Sequence, residues 1–195
     1  ADILVKGKYK EKLLSTLFPE TSKTSRVSLV RIACHTVEFF EALPAFEFLN
    51  SKGYKVAFNL MQVSECEPEE LKLLSKEAQK YPFDVLYFAD SLGNMNTEKV
   101  LNVIELLRTH WKGALGIHAH DNMGLALSNS LYAINKGITW VDSTVTGMGR
   151  GAGNVKTELL VIEISKLRDS SCNMKPIMAL IANTFKPMKE KYGWG

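Results

Sequence analysis

The most informative stretch of this sequence is Ala114-Leu115-Gly116-Ile117-His118-Ala119-His120-Asp121-Asn122. It opens with a short apolar run of the kind that forms a buried strand. Side chains alternate between the two faces of a strand, so His118 and His120 should point the same way, roughly 7 Å apart. Two imidazoles held side by side can bind one divalent cation. Buried imidazoles must otherwise each find a hydrogen-bond partner, so we favour a metal or catalytic role over a satisfied structural pair.

Length and composition limit the classes of protein to which this chain can belong. The chain has 195 residues, of which 46% are hydrophobic, and this is enough for one core and one domain. Its net charge of +3 is weak, and the basic residues are scattered among acidic ones, so we expect no nucleic-acid partner. Cys34, Cys66 and Cys172 lie far apart, in no metal or disulfide spacing. Because no signal peptide and no run of membrane-spanning length occur either, we expect a reduced, cytoplasmic protein with no membrane partner.

Strand-like and helix-like segments alternate along the chain. The predicted strands are 1–5, 28–35, 55–63, 85–90, the histidine-bearing strand from 114, and 139–145. The predicted helices are 37–52, the segment beginning at 67, 97–110, 124–135, 157–167 and 176–191. Strands separated by helical crossovers must pair in parallel, and two α/β folds do this: an open doubly wound sheet and a (β/α)8 TIM barrel.

Polar residues at the strand ends favour the barrel. They are Cys34-His35, Gln62, Asp90-Ser91, His118-His120-Asp121 and Thr144-Thr146. Barrel active sites collect at the carboxyl ends of many strands, whereas a doubly wound sheet concentrates its site at one crevice. No Gly-x-Gly-x-x-Gly follows an early strand. The sequence therefore predicts a (β/α)8 barrel of which only six units are present.

A glycine-rich stretch follows the last predicted strand. It reads Gly147-Met148-Gly149-Arg150-Gly151-Ala152-Gly153-Asn154. Such a loop lets the backbone approach a ligand and can present amide groups to an anion, and the alternative is a flexible loop. Asn154 has the carbonyl oxygen to bind a metal, although an asparagine in front of a helix is also a common cap.

These motifs together resemble the metallolyase superfamily of TIM barrels. That superfamily includes 3-hydroxy-3-methylglutaryl-CoA (HMG-CoA) lyase, isopropylmalate and homocitrate synthases, the pyruvate carboxyltransferase domain and 4-hydroxy-2-oxovalerate aldolase. The resemblance runs from about residue 28 to about residue 167, and it rests on the paired histidines, Val141-Asp142-Ser143-Thr144 and the glycine-rich stretch. The segments 31–38 and 89–93 are most similar to the oxovalerate aldolase branch.

The resemblance implies a site as well as a fold. The six units correspond to strands three to eight of the barrel, with a partial catalytic domain over 1–170 and a C-terminal helical extension over 171–195. The family binds one divalent cation, usually manganese or magnesium and less often zinc, and the matching ligands here are His118, His120 and Asn154. The residues expected to contact substrate are Ser91, His35, Asp90 and Arg150.

The implied chemistry is that of a 2-oxo acid. In the family the cation orients and polarises the substrate and stabilises an enolate while a carbon–carbon bond is broken or made. We therefore expect a metal-dependent aldolase or lyase similar to 4-hydroxy-2-oxovalerate aldolase. An acyl-CoA-dependent Claisen condensing enzyme and a non-catalytic, degenerate barrel module remain alternatives. The expected partners are a small 2-oxo acid and either a second copy of the chain or a dehydrogenase subunit.

One departure from the family pattern is large. Family members carry an Arg-Asp pair on the first strand, where the aspartate is a metal ligand and the arginine stabilises the enolate. The only Arg-Asp in this sequence is Arg168-Asp169, beyond the last predicted strand. The catalytic arginine and the general base therefore stay unassigned, and we expect the chain to be a fragment with a weak cation site. The glycine-rich stretch also lacks the cysteine of HMG-CoA lyases, which argues against that activity.

Overall fold

Strands and helices alternate in the computed structural model, which describes residues 2–4 and 11–194. Within these residues the strands are β1 (Asp2–Leu4), β2 (Leu29–His35), β3 (Lys55–Met61), β4 (Val85–Asp90), β5 (Ala114–Ala119) and β6 (Trp140–Val141). The helices are α1 (Glu11–Leu17), α2 (Phe39–Ser51), α3 (Pro68–Ala78), α4 (Thr97–Arg108), α5 (Ala126–Asn135), α6 (Thr157–Leu167), α7 (Lys175–Leu180) and α8 (Lys186–Tyr192).

The strands are hydrogen-bonded neighbours in chain order, from β1 to β6. The pairs β1–β2, β2–β3 and β3–β4 are parallel, with Val30 opposite Val56 and Phe58 opposite Leu86. A parallel sheet in strict chain order is what successive βα units produce when every crossover has the same hand. The six predicted βα units are therefore present.

Helix boundaries follow local sequence signals. Pro68 occupies the first turn of α3, where a missing N–H costs nothing. Asn96 caps α4 by accepting the Lys99 N–H at 2.9 Å through its side chain. Gly53, at φ +79°, follows the end of α2 and turns the chain toward β3.

The first of two compact units comprises the described residues of the segments 1–89 and 105–116. Its core contains an aromatic cluster in which Phe39, Phe46 and Phe58 surround Phe83, with ring centroids 4.5–6.3 Å from that ring. Two of these pairs, Phe39–Phe83 and Phe46–Phe83, meet edge to face, and such contacts add about 0.5–1.5 kcal/mol per pair beyond the burial of apolar area. Trp111 is also buried and donates its ring N–H to the Ala114 carbonyl at 2.9 Å, at the start of β5.

The second compact unit comprises the described residues of the segments 90–104 and 117–195. Strand β6 is shorter here than the predicted 139–145, because the chain after Val141 finds other partners. Thr144 pairs in parallel with Lys156 and donates its N–H to the Val155 carbonyl at 2.9 Å. A single 3-10 turn over Val145–Gly147 follows, with Thr146 in the left-handed region at φ 58°.

The second unit ends in a long helix interrupted by one π-helical segment. That segment, Ile181–Phe185, joins α7 to α8, so the predicted helix over 176–191 is confirmed. None of the described residues of this helix is buried. The domain boundary at residue 170 stays a prediction. Across residues 2–4 and 11–194, no helix is long and apolar enough to cross a membrane.

Candidate metal centre

His118 and His120 lie side by side at the carboxyl end of β5. Their ring centroids are 5.2 Å apart, and the ring planes make an angle of 70°. Both side chains are half-buried, with Ala119 buried between them on the opposite face. The alternation of side chains along a strand thus produces the predicted pair of imidazoles on one face.

A carboxylate holds the first of these rings. His118 donates its Nδ1–H to Asp142 Oδ2 at 2.7 Å. Asp142 directly follows β6, and its backbone N–H donates to the Ile117 carbonyl at 3.0 Å, which places the carboxylate beside β5. An ionised carboxylate can only accept, so the ring carries a proton on Nδ1, and Nε2 is the nitrogen that can bind a metal when the ring is neutral.

The surroundings of the second ring act on its pKa in both directions. The backbone of Arg150 lies close enough to His120 to favour the protonated ring. Burial nevertheless lowers the pKa of His120, and the electrostatic effects of the neighbouring His118 and Arg150 lower it further. A lowered pKa keeps this imidazole neutral, which is the form that binds a metal.

Asn154 contributes an amide oxygen that has no partner. The residue is 8% exposed, and its backbone pairs with that of His120 in an antiparallel bridge. Its Nδ2 donates to the Met148 carbonyl at 3.1 Å, whereas its buried Oδ1 accepts no hydrogen bond. Leaving such an oxygen unsatisfied costs about 1–3 kcal/mol, so a ligand bound to this oxygen would stabilise the protein. The alternative role as a cap is not taken, because Lys156 occupies the N-cap of α6.

These three side chains fit a divalent cation. Two neutral imidazoles and one amide oxygen are acceptable donors for Mn²⁺, and the unsatisfied Asn154 Oδ1 is the observation that favours a cation over an empty polar contact. Among the residues that the structure describes, no three His, Cys, Asp or Glu side chains group together as a metal site. The donor set therefore carries no formal charge of its own.

The glycine-rich stretch folds tightly around Asn154. Gly153 adopts φ +86°, and a Cβ there would collide with the Gly147 carbonyl oxygen. A Cβ on Gly149 would collide with the Asn154 side-chain amide. These glycines are required because the backbone passes too close to itself and to Asn154 for any side chain.

Asp90 holds the turn between β4 and α4. It is almost completely buried, and its two carboxylate oxygens accept the backbone N–H groups of Asn94 and Met95, each at 3.1 Å. Burial raises the pKa of Asp90, while these hydrogen bonds and the nearby His120 act in the opposite direction. Its predicted contact with substrate stays a prediction.

The other predicted substrate residues are divided between the two units. Ser91 is half-buried next to Asp90, and Arg150 is exposed on the glycine-rich stretch, both in the unit that holds the histidines. His35 ends β2 in the other unit, where its backbone N–H donates to Glu38 Oε2 at 3.0 Å. The roles of all three in substrate binding stay predictions.

Two further residues contribute to this region, although the sequence patterns do not identify them as site residues. Asp142 was noted only within the family resemblance, although its position just past a strand next to β5 is the available signal. Asn122 joins two loops: its Nδ2 donates to the Leu92 carbonyl at 2.8 Å, and its Oδ1 accepts the Ala152 N–H at 3.1 Å. Asn122 immediately follows His120-Asp121, but nothing in the local pattern indicates its two distant partners.

Comparison with known proteins gives the family. A family model described as HMGL-like matches residues 16–183, and the chain therefore belongs to the HMGL-like family. The 4-hydroxy-2-oxovalerate aldolase of Geobacillus genomosp. 3 is 34% identical over 148 residues, which are 76% of this chain and 44% of that protein. The protein of the same name from Carboxydothermus hydrogenoformans is 37% identical over 139 residues, covering 71% of this chain and 41% of that protein. The chain thus spans less than half the length of these curated relatives.

Solved structures confirm the fold class. The N-terminal domain of a Bacteroides vulgatus protein described as an aldolase superposes with a TM-score of 0.87 and 32% identity, over 100% of this chain and 64% of that one. HMG-CoA lyase from Bacillus subtilis superposes with a TM-score of 0.77 over 98% of this chain and 70% of that one. At 20% identity the second likeness shows the fold alone. The chain is an α/β protein that forms part of a (β/α)8 barrel, and its family implies a divalent metal.

Proposed function

We propose that this chain is the metal-binding part of a divalent-metal-dependent lyase that breaks or forms a carbon–carbon bond in a short 2-oxo acid. One observation carries the proposal: the buried, unpartnered Oδ1 of Asn154 lies on a residue whose backbone pairs with His120, beside His118. Relatives named 4-hydroxy-2-oxovalerate aldolase support the same reaction class.

His118, His120 and Asn154 would hold the cation. When bound, a divalent cation supplies a Lewis acid for the carbonyl oxygen of the 2-oxo acid. We propose manganese first and magnesium second, because imidazole donors suit manganese better than the harder magnesium ion. The chain's own contribution is to orient the His118 ring through Asp142 and to keep the His120 ring neutral by burial.

Arg150 would bind the substrate carboxylate. Its guanidinium is exposed on the glycine-rich stretch, and its charge reaches His120 strongly enough to lower that residue's pKa. Guanidinium–carboxylate pairs are frequently bidentate and orient the bound acid. Ser91, half-buried after β4, is the proposed hydroxyl contact on the same substrate.

The proposal is tested by two assays on the same protein. In the full-length protein that contains this chain, pyruvate release from 4-hydroxy-2-oxo acids is measured with and without added Mn²⁺, and thiol release is measured with acetyl-CoA and a 2-oxo acid. We expect pyruvate release that depends on Mn²⁺, is lost in His118→Ala and is kept in the control His110→Ala. Thiol release without aldol cleavage would establish the Claisen alternative instead. Absence of both activities, with Mn²⁺ still bound, would establish a non-catalytic module.

A second candidate is decarboxylation of a 2-oxo acid. An oxaloacetate decarboxylase from Mycobacterium tuberculosis is 31% identical over 140 residues, covering 72% of this chain and 42% of that protein. Both reactions place negative charge on the carbon next to a 2-oxo group, so one cation site can serve either. Release of carbon dioxide from oxaloacetate, faster than from a matched blank containing Mn²⁺ alone, would favour this candidate.

Location and partners belong to the same proposal. We propose a cytoplasmic protein, since Cys34, Cys66 and Cys172 are all free thiols and a reducing compartment keeps them so.

We also propose that it associates with a second copy or with a dehydrogenase subunit. Exposed Met178 and Leu180 on a helix without buried residues support an association surface. Light scattering of the purified protein distinguishes a monomer from an oligomer.

A further inference from the structure

His118 and His120 have different polar neighbours. The group that favours the protonated form of His120 is the backbone of Arg150, which every residue type at position 150 would supply. The acceptor for His118 is the side chain of Asp142, at 2.7 Å. The orientation and protonation of the first ring therefore depend on one particular side chain.

We propose that Asp142 is a positioning residue that fixes the proton of His118 on Nδ1 and so presents the Nε2 lone pair to a divalent cation. This inference rests on the proposed cation site. It adds to that site a residue that is not itself a ligand. A carboxylate on the far nitrogen of a ligating imidazole also makes the ring a stronger donor.

The position of Asp142 suits this role. The His118 and Asp142 side chains are 23% and 22% exposed, so their contact is largely sheltered from water. The Asp142 backbone is tied to β5 through the Ile117 carbonyl, one residue before His118. Backbone and side chain of Asp142 thus both fix its place relative to the ring.

The charge of Asp142 matters because the proposed ligands are neutral. Two imidazoles and an amide leave a divalent cation without a compensating charge in its direct contacts. Asp142 places one negative charge a single hydrogen bond away from His118. Loss of that charge should weaken cation binding even when the ring stays in place.

Three substitutions separate positioning from packing. Asp142→Asn keeps the shape but removes the charge and can donate to Nδ1, which would move the ring proton to Nε2. Asp142→Glu changes the shape but keeps an anionic acceptor. A purely structural role would tolerate Asp142→Asn and suffer from Asp142→Glu, whereas a positioning role predicts the reverse order. Glu163→Gln is the control, because Glu163 is a carboxylate of α6 paired with Lys166 at 2.7 Å.

The first measurement needs no metal. Long-range ¹H–¹⁵N correlation spectra of the imidazoles report which nitrogen carries the proton. We expect His118 to carry it on Nδ1 in the wild-type protein, in Glu163→Gln and in Asp142→Glu, and to carry it at least partly on Nε2 in Asp142→Asn. A wild-type His118 with its proton on Nε2 would overturn the inference, and so would an unchanged spectrum in Asp142→Asn.

The second measurement is titration with MnCl₂ alone, followed by the electron paramagnetic resonance signal of free Mn²⁺. We expect Asp142→Asn to raise the Kd about 10- to 100-fold, Asp142→Glu to stay closer to wild type, and Glu163→Gln to stay within about twofold. Equal affinity of Asp142→Asn and wild type would overturn the inference. If the wild-type protein binds no Mn²⁺, the proposed function fails instead, and the imidazole spectra still decide the role of Asp142. Melting curves confirm that each variant is folded.

Discussion

The backbones of His120 and Asn154 pair in an isolated antiparallel bridge, which joins the end of β5 to the glycine-rich stretch. Asp121 extends the junction by donating its N–H to the Gly153 carbonyl at 2.9 Å. The loop is therefore hydrogen-bonded to the histidine strand. This junction ties Asn154, whose side-chain Oδ1 is buried without a partner, to the backbone of His120.

Replacing Asn154 should change the stability of the protein little and weaken cation binding strongly. Asn154→Ala removes the unsatisfied Oδ1, which favours the folded state, and also removes the hydrogen bond to Met148, which is worth about 1 kcal/mol. We expect a change in the free energy of unfolding below about 1 kcal/mol, together with at least a tenfold loss of Mn²⁺ affinity. Denaturant melts and Mn²⁺ titration measure the two effects. Unchanged Mn²⁺ affinity would remove Asn154 from the ligand set.

Gly153 and Gly137 form a matched pair for the loop geometry. Both adopt φ +86°, but a Cβ on Gly137 meets nothing within 4 Å, whereas one on Gly153 collides with the Gly147 carbonyl oxygen. We expect Gly137→Ala to cost about 1–2 kcal/mol from backbone strain alone. Gly153→Ala should cost clearly more and weaken Mn²⁺ binding. If Gly137→Ala and Gly153→Ala lose equal stability in urea denaturation, the loop can move to accept a Cβ at Gly153 without cost.

Asn122 should control the mobility of the glycine-rich stretch. Asn122→Ala removes the hydrogen bond that its side chain accepts from the Ala152 N–H, and we expect faster hydrogen exchange at that amide with a stability loss of about 1 kcal/mol. Asn96→Ala is the control, because it removes the cap of α4 at a similar cost without touching the loop. Equal exchange at Ala152 in both variants would show that Asn122 does not hold the loop.

The buried thiol of Cys34 should make stability depend on alkaline pH. Burial raises its pKa from 9.0 to about 12, with a smaller contribution from Glu38. The unfolded thiol ionises above about pH 9 while the folded one stays protonated, so the free energy of unfolding falls as the pH rises from 9 toward 12. Cys34→Ala should lack this part of the slope, up to about 1 kcal/mol per pH unit. Identical slopes for the two proteins in denaturant melts would contradict this assignment.

The features that the sequence predicted correctly are those that depend on residues close together along the chain. Helix α6 matches the predicted 157–167, because its apolar spacing and its termini are local properties. The paired imidazoles follow from the alternation of a strand and needed no tertiary information. Strand β6 was predicted too long because Thr144 leaves the sheet edge to pair with Lys156, a partner that local propensity does not report.

Side-chain partners distant along the chain were beyond local reasoning. Asp90 is an ionisable residue at a strand end, but both of its carboxylate oxygens accept hydrogen bonds from the turn into α4. Asp142 was not predicted as a site residue, because only the pairing of β5 and β6 brings it to His118. Residue type and strand-end position thus located the site, whereas the roles within it depend on tertiary hydrogen bonds.

The most direct test of the cation site is calorimetric titration of the protein with Mn²⁺ at neutral pH, alongside His118→Ala and His110→Ala. We expect weak but saturable binding to one site, because the proposed donors are two neutral imidazoles and one amide oxygen. His118→Ala should abolish this binding, and His110→Ala should leave it unchanged. Absence of binding, or binding that survives His118→Ala, would contradict the central claim that the paired histidines of β5 form a metal centre.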